Sequence, residues 1–129
     1  MTELDLQSTV LSILERDGWA VSTQWRIGSK RVDIVASRGG EVHSYEVKLR
    51  DWRRGSKQAF LNGPYFNRCY VVLPSNVRRR LDSDLFRELE VGLLELAENG
   101  AIIHVVEPPR RDLTPAMSTL IGQSGSAKA

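Results

Sequence analysis

The stretch that decides the fold is KRVDIVASRGGEVHSYEVKLR, residues 30–50. Within it, Arg31 to Ser37 and Val42 to Leu49 predict two β-strands. Between them, Arg38-Gly39-Gly40-Glu41 predicts a hairpin connection, because glycine readily adopts the left-handed conformations that tight turns need. The stretch therefore predicts an antiparallel pair of strands.

Further elements extend this pair on both sides. Glu3 to Asp17 predicts an amphipathic helix that ends at Gly18. The alternation from Trp19 to Ile27, which places both tryptophans on one face, predicts another strand. After the pair, Asp51 is the predicted N-cap of a helix to about Leu61, and Cys69 to Leu73 predicts a buried strand. The order helix, three strands, helix, strand predicts an α/β (α+β) fold with a mixed sheet flanked by helices.

The C-terminal third adds a helix at Asp82 to Glu90 and an ambiguous segment after it. Val91 to Leu96 either continues this helix or pairs with Ala101 to Val106 across Glu98-Asn99-Gly100. Asn-Gly favours the hairpin, and Gly92 disfavours the helix. We therefore expect a single domain over residues 1–107 with a C-terminal β-hairpin extension, and a flexible C-terminal tail over residues 108–129.

The composition predicts one soluble globular domain. The chain has 129 residues, of which 41% are apolar and 26% charged, and no run approaches the roughly 20 apolar residues of a membrane helix. The N-terminus is acidic and lacks the basic and apolar regions of a signal peptide, so we expect a cytoplasmic protein. The single cysteine, Cys69, lies among apolar residues and is expected to be buried.

Basic charge is concentrated in the middle of the chain. The net charge is only +2, but residues 48–80 hold nine basic residues against one acid, and the segments on both sides of this stretch are acidic. Such asymmetry is typical of a surface that binds a phosphate backbone, although a solvated face explains it equally well.

Three charged residues predict a cation site. Glu46 and Lys48 lie two residues apart on one strand and share a face, and Asp33 lies on the preceding strand across the hairpin. Two converging carboxylates stay ionised most simply around a hard cation such as Mg²⁺. A lysine beside that cation is suited to phosphodiester hydrolysis. The alternative is an ordinary salt bridge between Glu46 and Lys48.

These residues resemble the motif of the PD-(D/E)XK nuclease superfamily. The similarity rests on Asp33 within Arg31-Val32-Asp33-Ile34-Val35, on Glu46-Val47-Lys48 one hairpin later, and on Glu3 in the first helix. It covers roughly residues 2–107, with Val32 in place of the proline that gives the family its name. The resemblance implies a restriction-endonuclease-like αβββαβ core and a metal-dependent endonuclease.

The resemblance also implies roles for individual residues. Glu3, Asp33 and Glu46 would hold Mg²⁺, with Mn²⁺ as a substitute, and Lys48 would act at the attacking water. Gln58 is similar to a residue that approaches the metal in Holliday-junction resolvases and repair nucleases, and it completes the expected catalytic set.

The first helix carries several acids, and a helical wheel favours Glu3. At about 100° per residue, Glu3 falls in the middle of the apolar stripe, whereas Asp5 and Glu15 fall outside it. Asp17 lies near the stripe but at the helix C-terminus, where the helix dipole disfavours an acid. Fraying of the first turn, which would leave Glu3 in solvent, is the alternative.

The helix after the motif predicts a contact with DNA phosphates. The residues expected to bind DNA are Arg50, Trp52, Arg53, Arg54 and Lys57. His43 and His104 have no metal-ligand partner at a useful spacing and are expected to be structural.

The sequence thus predicts a Mg²⁺-dependent endonuclease that acts on DNA. No module for reading bases is evident, so specificity would come from DNA structure, from a homodimer or from a partner protein. A non-catalytic module that binds nucleic acid or assembles a complex on the same fold is the alternative.

Overall fold

The structure, a computed structural model, describes residues 1–114 of the chain. The helices in this range are α1 (Glu3–Arg16), α2 (Trp52–Asn62), α3 (Ser75–Arg78) and α4 (Asp84–Leu89), with a short 3₁₀ turn at Gly63–Tyr65. The strands are β1 (Ala20–Ile27), β2 (Lys30–Arg38), β3 (Glu41–Val47), β4 (Arg68–Pro74), β5 (Gly92–Leu96) and β6 (Ile102–Val106). None of the helices within residues 1–114 is long and apolar enough to cross a membrane.

The strands form one mixed sheet whose spatial order follows the chain, from β1 to β6. Strands β1, β2 and β3 pair antiparallel, β3, β4 and β5 pair parallel, and β6 returns antiparallel to β5. Parallel neighbours need a crossover, which α2 supplies between β3 and β4. The predicted α/β fold, a mixed sheet flanked by helices, is confirmed, as is the β5–β6 hairpin.

Helix α1 covers one face of the sheet. Thr2 and Asp5 form a capping box, in which each side chain accepts a hydrogen bond from the other's backbone N–H. The helix buries Leu6, Val10 and Leu14 against the sheet, and each such side chain contributes about 2 kcal/mol of apolar burial. Leu4 lies about 120° from Val10 on the helical wheel, outside this stripe, and is 70% exposed.

Helices α2 and α4 cover the other face. Asp51 caps α2 as predicted, since its side chain accepts the Arg54 N–H at 3.2 Å. Ala59 of α2 and Phe86 of α4 are fully buried in the core on this side. The sheet therefore separates two hydrophobic clusters, an α1-side core and an α2-side core.

In both β1 and β2, the alternation of side chains between the two faces of the sheet is interrupted at one position, which is Gln24 in β1 and Asp33 in β2. The register pairs run on both sides of Gln24 and Asp33 but omit these two residues, and Gln24 has a left-handed φ of 51°. Next to Asp33, Val32 belongs to the α2-side core and Ile34 to the α1-side core. Residues two apart in a regular strand share a face, so the backbone is rotated at Asp33.

This reset corrects one prediction about the tryptophans. Trp19 packs against the α1-side core and Trp25 against the α2-side core, so the two do not share a face. The simple alternation fails because Gln24 lies between them. Both are nevertheless partly buried and pack against the core.

Residues beyond the predicted domain boundary at residue 107 belong to the folded unit. Pro108 is buried. The Arg111 N–H donates to the backbone carbonyl of Asn67 at 2.9 Å, and Asn67 Nδ2 donates to the backbone carbonyl of Arg111 at 2.8 Å. Arg110 Nε donates to Glu41 at 2.7 Å. The part of the predicted flexible tail that spans residues 115–129 lies outside the described residues.

Candidate active site

Strands β2 and β3 separate at the candidate site. Their pairing ends with Ile34 opposite Tyr45, so Asp33 and Glu46 lie where the strands diverge. Asp33 Oδ2 accepts a hydrogen bond from the Val47 backbone N–H at 2.9 Å. The carboxylate thus binds an N–H that is free because the ladder has ended, and its side chain is 14% exposed.

Lys48 lies beside Asp33 and is slightly more buried. Its Nζ is 3.6 Å from Asp33 Oδ2, and its side chain is 10% exposed. Gly55 of α2 makes room for it, because a Cβ at Gly55 would lie 2.9 Å from Lys48 Cγ and 3.2 Å from Val71 Cγ1. The lysine stem therefore runs beneath α2, where a larger residue than glycine would displace it.

Glu46 is a fully buried carboxylate with one free oxygen. Its Oε2 accepts a hydrogen bond from Asn62 Nδ2 at 3.0 Å, whereas Oε1 is buried without a partner among the described residues. Burial, and then the negative charge of Asp33, raise the pKa of Glu46 to about 8. Such a group is costly unless it is protonated or meets a cation.

A pocket of about 300 Å³ opens onto Asp33 and Lys48. Gln58 of α2 lines this pocket as well, and its Oε1 is buried without a hydrogen-bond partner in residues 1–114. The structure therefore brings Gln58 to the same site as the predicted catalytic strand residues. It also adds Asn62, which the sequence analysis missed and which nothing in its local sequence distinguishes from an ordinary helix C-terminus.

The pocket carries cations that the sequence analysis did not single out. Arg26, Lys30 and Arg31 from the β1–β2 hairpin line it together with Arg54 of α2. Burial lowers the pKa of Lys30, and the charge of Glu46 opposes that shift. Their position in the hairpin that presents Asp33 was the available signal, but the concentration of basic charge from Lys48 onward does not include them.

Glu3 reaches the end of β3 from the α1 side. Its Oε2 accepts a hydrogen bond from the Leu49 N–H at 3.1 Å, which confirms that Glu3 faces the sheet. Asp5 is engaged in the capping box, and Glu15 is exposed. Within residues 1–114 no three His, Cys, Asp or Glu side chains group closely enough to hold a metal ion. A ligand role for Glu3 stays a prediction.

The predicted DNA-binding residues divide between two surfaces. Arg54 lines the pocket at Asp33, whereas Arg50, Trp52 and Arg53 line a second concave surface between α2 and the α3–α4 segment. Lys57 is exposed and lines neither. The basic helix therefore contributes to the candidate site mainly through Arg54.

The histidines lie away from this site. His43 is buried, its ring nitrogen lies 2.7 Å from Glu41 Oε1, and burial lowers its pKa. His104 is exposed and paired with Glu107. Cys69 is buried, as predicted, and burial raises the pKa of its thiol to about 11.

Comparisons with known proteins show the fold but no family. No protein-family model and no curated protein matches this chain. A protein of unknown function from Silicibacter pomeroyi, SPO1766, matches with a TM-score of 0.71 at 18% identity, over 91% of this chain and 79% of its own. The AF1548 protein, also of unknown function, matches with a TM-score of 0.54 at 15% identity, over 73% of this chain and 58% of its own.

A third solved structure, Pyrococcus furiosus SfsA in complex with Ca²⁺, has a TM-score of 0.49 at 18% identity and covers 84% of this chain and 65% of its own. Identities this low extend to the fold alone. The chemistry of the site has to be argued from the residues of this chain.

Proposed function

We propose that this chain is a metal-dependent nuclease of the PD-(D/E)XK type that acts on DNA. The observation that carries the proposal is Glu46, a fully buried carboxylate whose Oε1 has no partner in the described residues. Next to it, Asp33 and Lys48 lie 3.6 Å apart. A scaffold has no need for two carboxylates at such a place, because burying carboxylates that repel each other, one of them with an unsatisfied oxygen, is costly.

The residues at the site fit a hard divalent cation. Asp33 and Glu46 supply carboxylate oxygens, and Gln58 supplies an amide oxygen. One buried oxygen of Glu46 and the buried oxygen of Gln58 have no hydrogen-bond partner within residues 1–114. Mg²⁺ takes oxygen ligands and usually binds through one or two carboxylates, with water and phosphate oxygens at the remaining positions. Glu3 is proposed as a further ligand, and Mn²⁺ as a substitute for Mg²⁺.

The chain's own residues each have a task in the proposed reaction. Bound Mg²⁺ supplies Lewis-acid polarisation of a phosphate oxygen and a more acidic water. Lys48, held beside Asp33, is placed to orient the attacking water and to stabilise negative charge that develops on the phosphate. Asn62 holds Glu46 through Oε2, and the Val47 N–H holds Asp33, so neither carboxylate has to reorganise before the reaction.

The basic rim of the pocket supports an anionic polymer as substrate. Arg26, Lys30, Arg31 and Arg54 surround the proposed reaction centre, and none of them belongs to an ion pair among the described residues. Unpaired cations around a carboxylate site attract the phosphates on either side of the bond to be cut. We place the activity in the cytoplasm, with specificity supplied by a homodimer or a partner protein.

The test is cleavage of supercoiled, linear, branched and single-stranded DNA in Mg²⁺, in Mn²⁺ and in EDTA. Wild type should cut at least one substrate in either metal and none in EDTA. Asp33→Asn, Glu46→Gln and Lys48→Ala should each lower the rate by about a hundredfold or more, whereas Glu15→Gln, on the exposed side of α1, should not.

A chain that binds DNA but cuts none of these substrates would support the alternative, a non-catalytic nucleic-acid-binding or assembly module on the same fold. Such a module would use the basic rim of the pocket, but it would have no use for the buried carboxylate of Glu46. Cleavage that survives all three site substitutions would instead belong to another site or to a contaminant.

A further inference from the structure

A second concave surface, which we call the α2–α4 groove, lies next to the proposed active site. It has a volume of about 850 Å³ and runs between the first turn of α2 and the α3–α4 segment. Arg50, Arg53 and Arg80 line it together with apolar side chains, which include Trp52 and Leu85. The groove thus combines a basic rim with an apolar floor.

The arginines of the groove lack protein counter-ions. Arg50, Arg53 and Arg80 are exposed, and none forms an ion pair within residues 1–114. The nearby Arg87, by contrast, is paired with Asp84 at 3.0 Å. Free guanidinium groups at a concave surface favour an anionic ligand, and their fork of donors matches phosphate.

One acid lies among these arginines, but it has a structural partner. Asp82 also lines the groove, and its Oδ1 accepts a hydrogen bond from the Asp84 N–H at 2.9 Å. Its charge therefore helps to fix the loop before α4. Three arginines against one engaged carboxylate leave the groove with a positive balance.

The floor of the groove is apolar and partly aromatic. Val77, Leu81 and Leu85 are half-buried there beside Trp52, and the Arg53 guanidinium carbon lies 4.6 Å from the centroid of the Trp52 ring. Aromatic rings and arginine planes are the surfaces on which unpaired bases stack. A duplex, whose bases are already stacked and paired, offers mainly sugars and phosphates and would leave this floor without a partner.

The groove and the proposed active site share the first turn of α2. Arg53 lines the groove and its neighbour Arg54 lines the pocket at Asp33, and consecutive Cα atoms are only about 3.8 Å apart. Arg50, also in the groove, follows Lys48 by two residues. One phosphodiester chain can therefore pass from the pocket into the groove around this turn.

We propose that the α2–α4 groove binds a single-stranded segment of nucleic acid next to the phosphate that is cut. The phosphates lie on Arg50, Arg53 and Arg80, and the bases lie on the apolar floor. For cleavage this inference rests on the proposed nuclease function and names its substrate class: DNA with an unpaired segment, such as a flap, fork or gap. The inference that the groove binds a single strand rests on the groove alone and does not depend on nuclease activity.

The experiment measures binding of a fluorescein-labelled oligothymidylate, and of a duplex of equal length, to the full chain in EDTA. The oligothymidylate should bind more tightly. The double variant Arg53→Ala/Arg80→Ala should weaken its binding at least tenfold. The slope of log K against log[salt] should become shallower by about 1.4, because each phosphate contact of a single strand contributes about 0.7.

The matched control is Arg16→Ala/Arg87→Ala, which removes the same charge from exposed positions outside the groove. It should change oligothymidylate binding by less than twofold, and thermal unfolding should show both double variants folded. Tighter binding of the duplex by wild type, or equal weakening by both double variants, would overturn the proposal.

Cleavage assays separate this inference from the proposed function. A wild type that cuts nothing but still prefers oligothymidylate through Arg53 and Arg80 overturns the nuclease and supports the groove. A wild type that cuts duplex and forked DNA at equal rates, with the Arg53→Ala/Arg80→Ala variant cutting both equally well, overturns the groove and supports the nuclease.

Discussion

At the scale of single residues, the unusual group is Glu46. Its pKa is raised from 4.5 to about 8, mainly by burial and then by the charge of Asp33. Between these values the folded, metal-free chain keeps a proton that the unfolded chain has released. The folded state therefore binds more protons, and its stability falls as the pH rises through this window.

This linkage gives a prediction for the metal-free chain. The free energy of unfolding, measured by urea titration in EDTA from about pH 5 to about pH 8, should fall more steeply for wild type than for Glu46→Gln, which cannot ionise. Mg²⁺ should stabilise wild type more at the upper end of this range, because it binds the ionised carboxylate. Identical pH profiles for wild type and Glu46→Gln would mean that Glu46 titrates normally.

A second residue-scale prediction separates two roles of Glu3. Its Oε2 accepts the Leu49 N–H, and a glutamine oxygen can accept the same hydrogen bond without the charge. If Glu3 is a metal ligand, Glu3→Gln should lower metal-dependent cleavage well over tenfold with little change in the urea midpoint. Glu15→Gln, which removes an exposed acid from the same helix, should leave cleavage unchanged.

If Glu3→Gln cleaves DNA as fast as wild type, the role of Glu3 is limited to accepting the hydrogen bond from the Leu49 N–H. In that case Glu3→Ala should still reduce activity, because it removes the hydrogen bond next to Lys48. Loss in Glu3→Ala but not in Glu3→Gln would therefore show a positioning residue.

At the scale of elements, the sequence predicted most of the architecture. A period of 3.6 identifies α1, a period of 2 identifies β1, and Asn99-Gly100 identifies the β5–β6 hairpin, because these signals are local. Helix α3 was not predicted, because its four residues are too few to show a helical period. The domain boundary was predicted at residue 107, because the contacts of Arg110 and Arg111 involve residues distant in sequence.

The reset at Gln24 and Asp33 was also beyond sequence reasoning. Gln24 has a left-handed φ of 51°, yet glutamine gives no sign of that conformation in a sequence. The consequence is large, because the rotated backbone at Asp33 places Val32 and Ile34 on opposite faces of the sheet, with Asp33 between them. Asp33, Glu46 and Lys48 were found as a set because their chemistry, unlike the backbone rotation, is visible in the residue types.

The left-handed backbone leads to a prediction about stability. Because a side chain at positive φ costs roughly 1 kcal/mol that glycine avoids, Gln24→Gly should be about 1 kcal/mol more stable than Gln24→Ala in urea titrations. At Ser22, whose φ is not positive, the order should reverse, and Ser22→Gly should be the less stable of the pair. Gln24→Ala as stable as Gln24→Gly would argue against the left-handed conformation.

At the scale of the whole molecule, folding gathers cations that are distant in sequence. The basic run from Lys48 to Arg80 was visible as a concentration of charge, but only part of it reaches the two concave surfaces. Lys48 and Arg54 line the pocket, and Arg50, Arg53 and Arg80 line the α2–α4 groove. Arg26, Lys30 and Arg31 also line the pocket, although they belong to residues 1–47, in which acidic residues outnumber basic ones. The distribution of charge along the chain therefore predicted a phosphate-binding surface but not which basic residues form it.

This arrangement predicts the salt dependence of duplex binding. Log K against log[salt] should slope by about −0.9 for each phosphate neutralised, and Arg31→Ala or Arg54→Ala should each make the slope shallower by about one. Arg87→Ala should leave the slope unchanged, since Arg87 lines neither the pocket nor the α2–α4 groove and is already paired with Asp84. A slope near zero for wild type would mean that the pocket rim does not touch the backbone.

The seven-residue interval between Gly55 and Asn62 makes α2 a spacer of fixed length. Gly55 accommodates Lys48 and Asn62 holds Glu46, and a helix places two such residues about two turns and 10 Å apart on nearly the same face. One inserted or deleted residue between them would turn one support by about 100° away from its partner. The length of α2 between these two supports is therefore fixed by the site, whereas its exposed Lys57, Phe60 and Leu61 line neither the pocket nor the α2–α4 groove and can be exchanged freely.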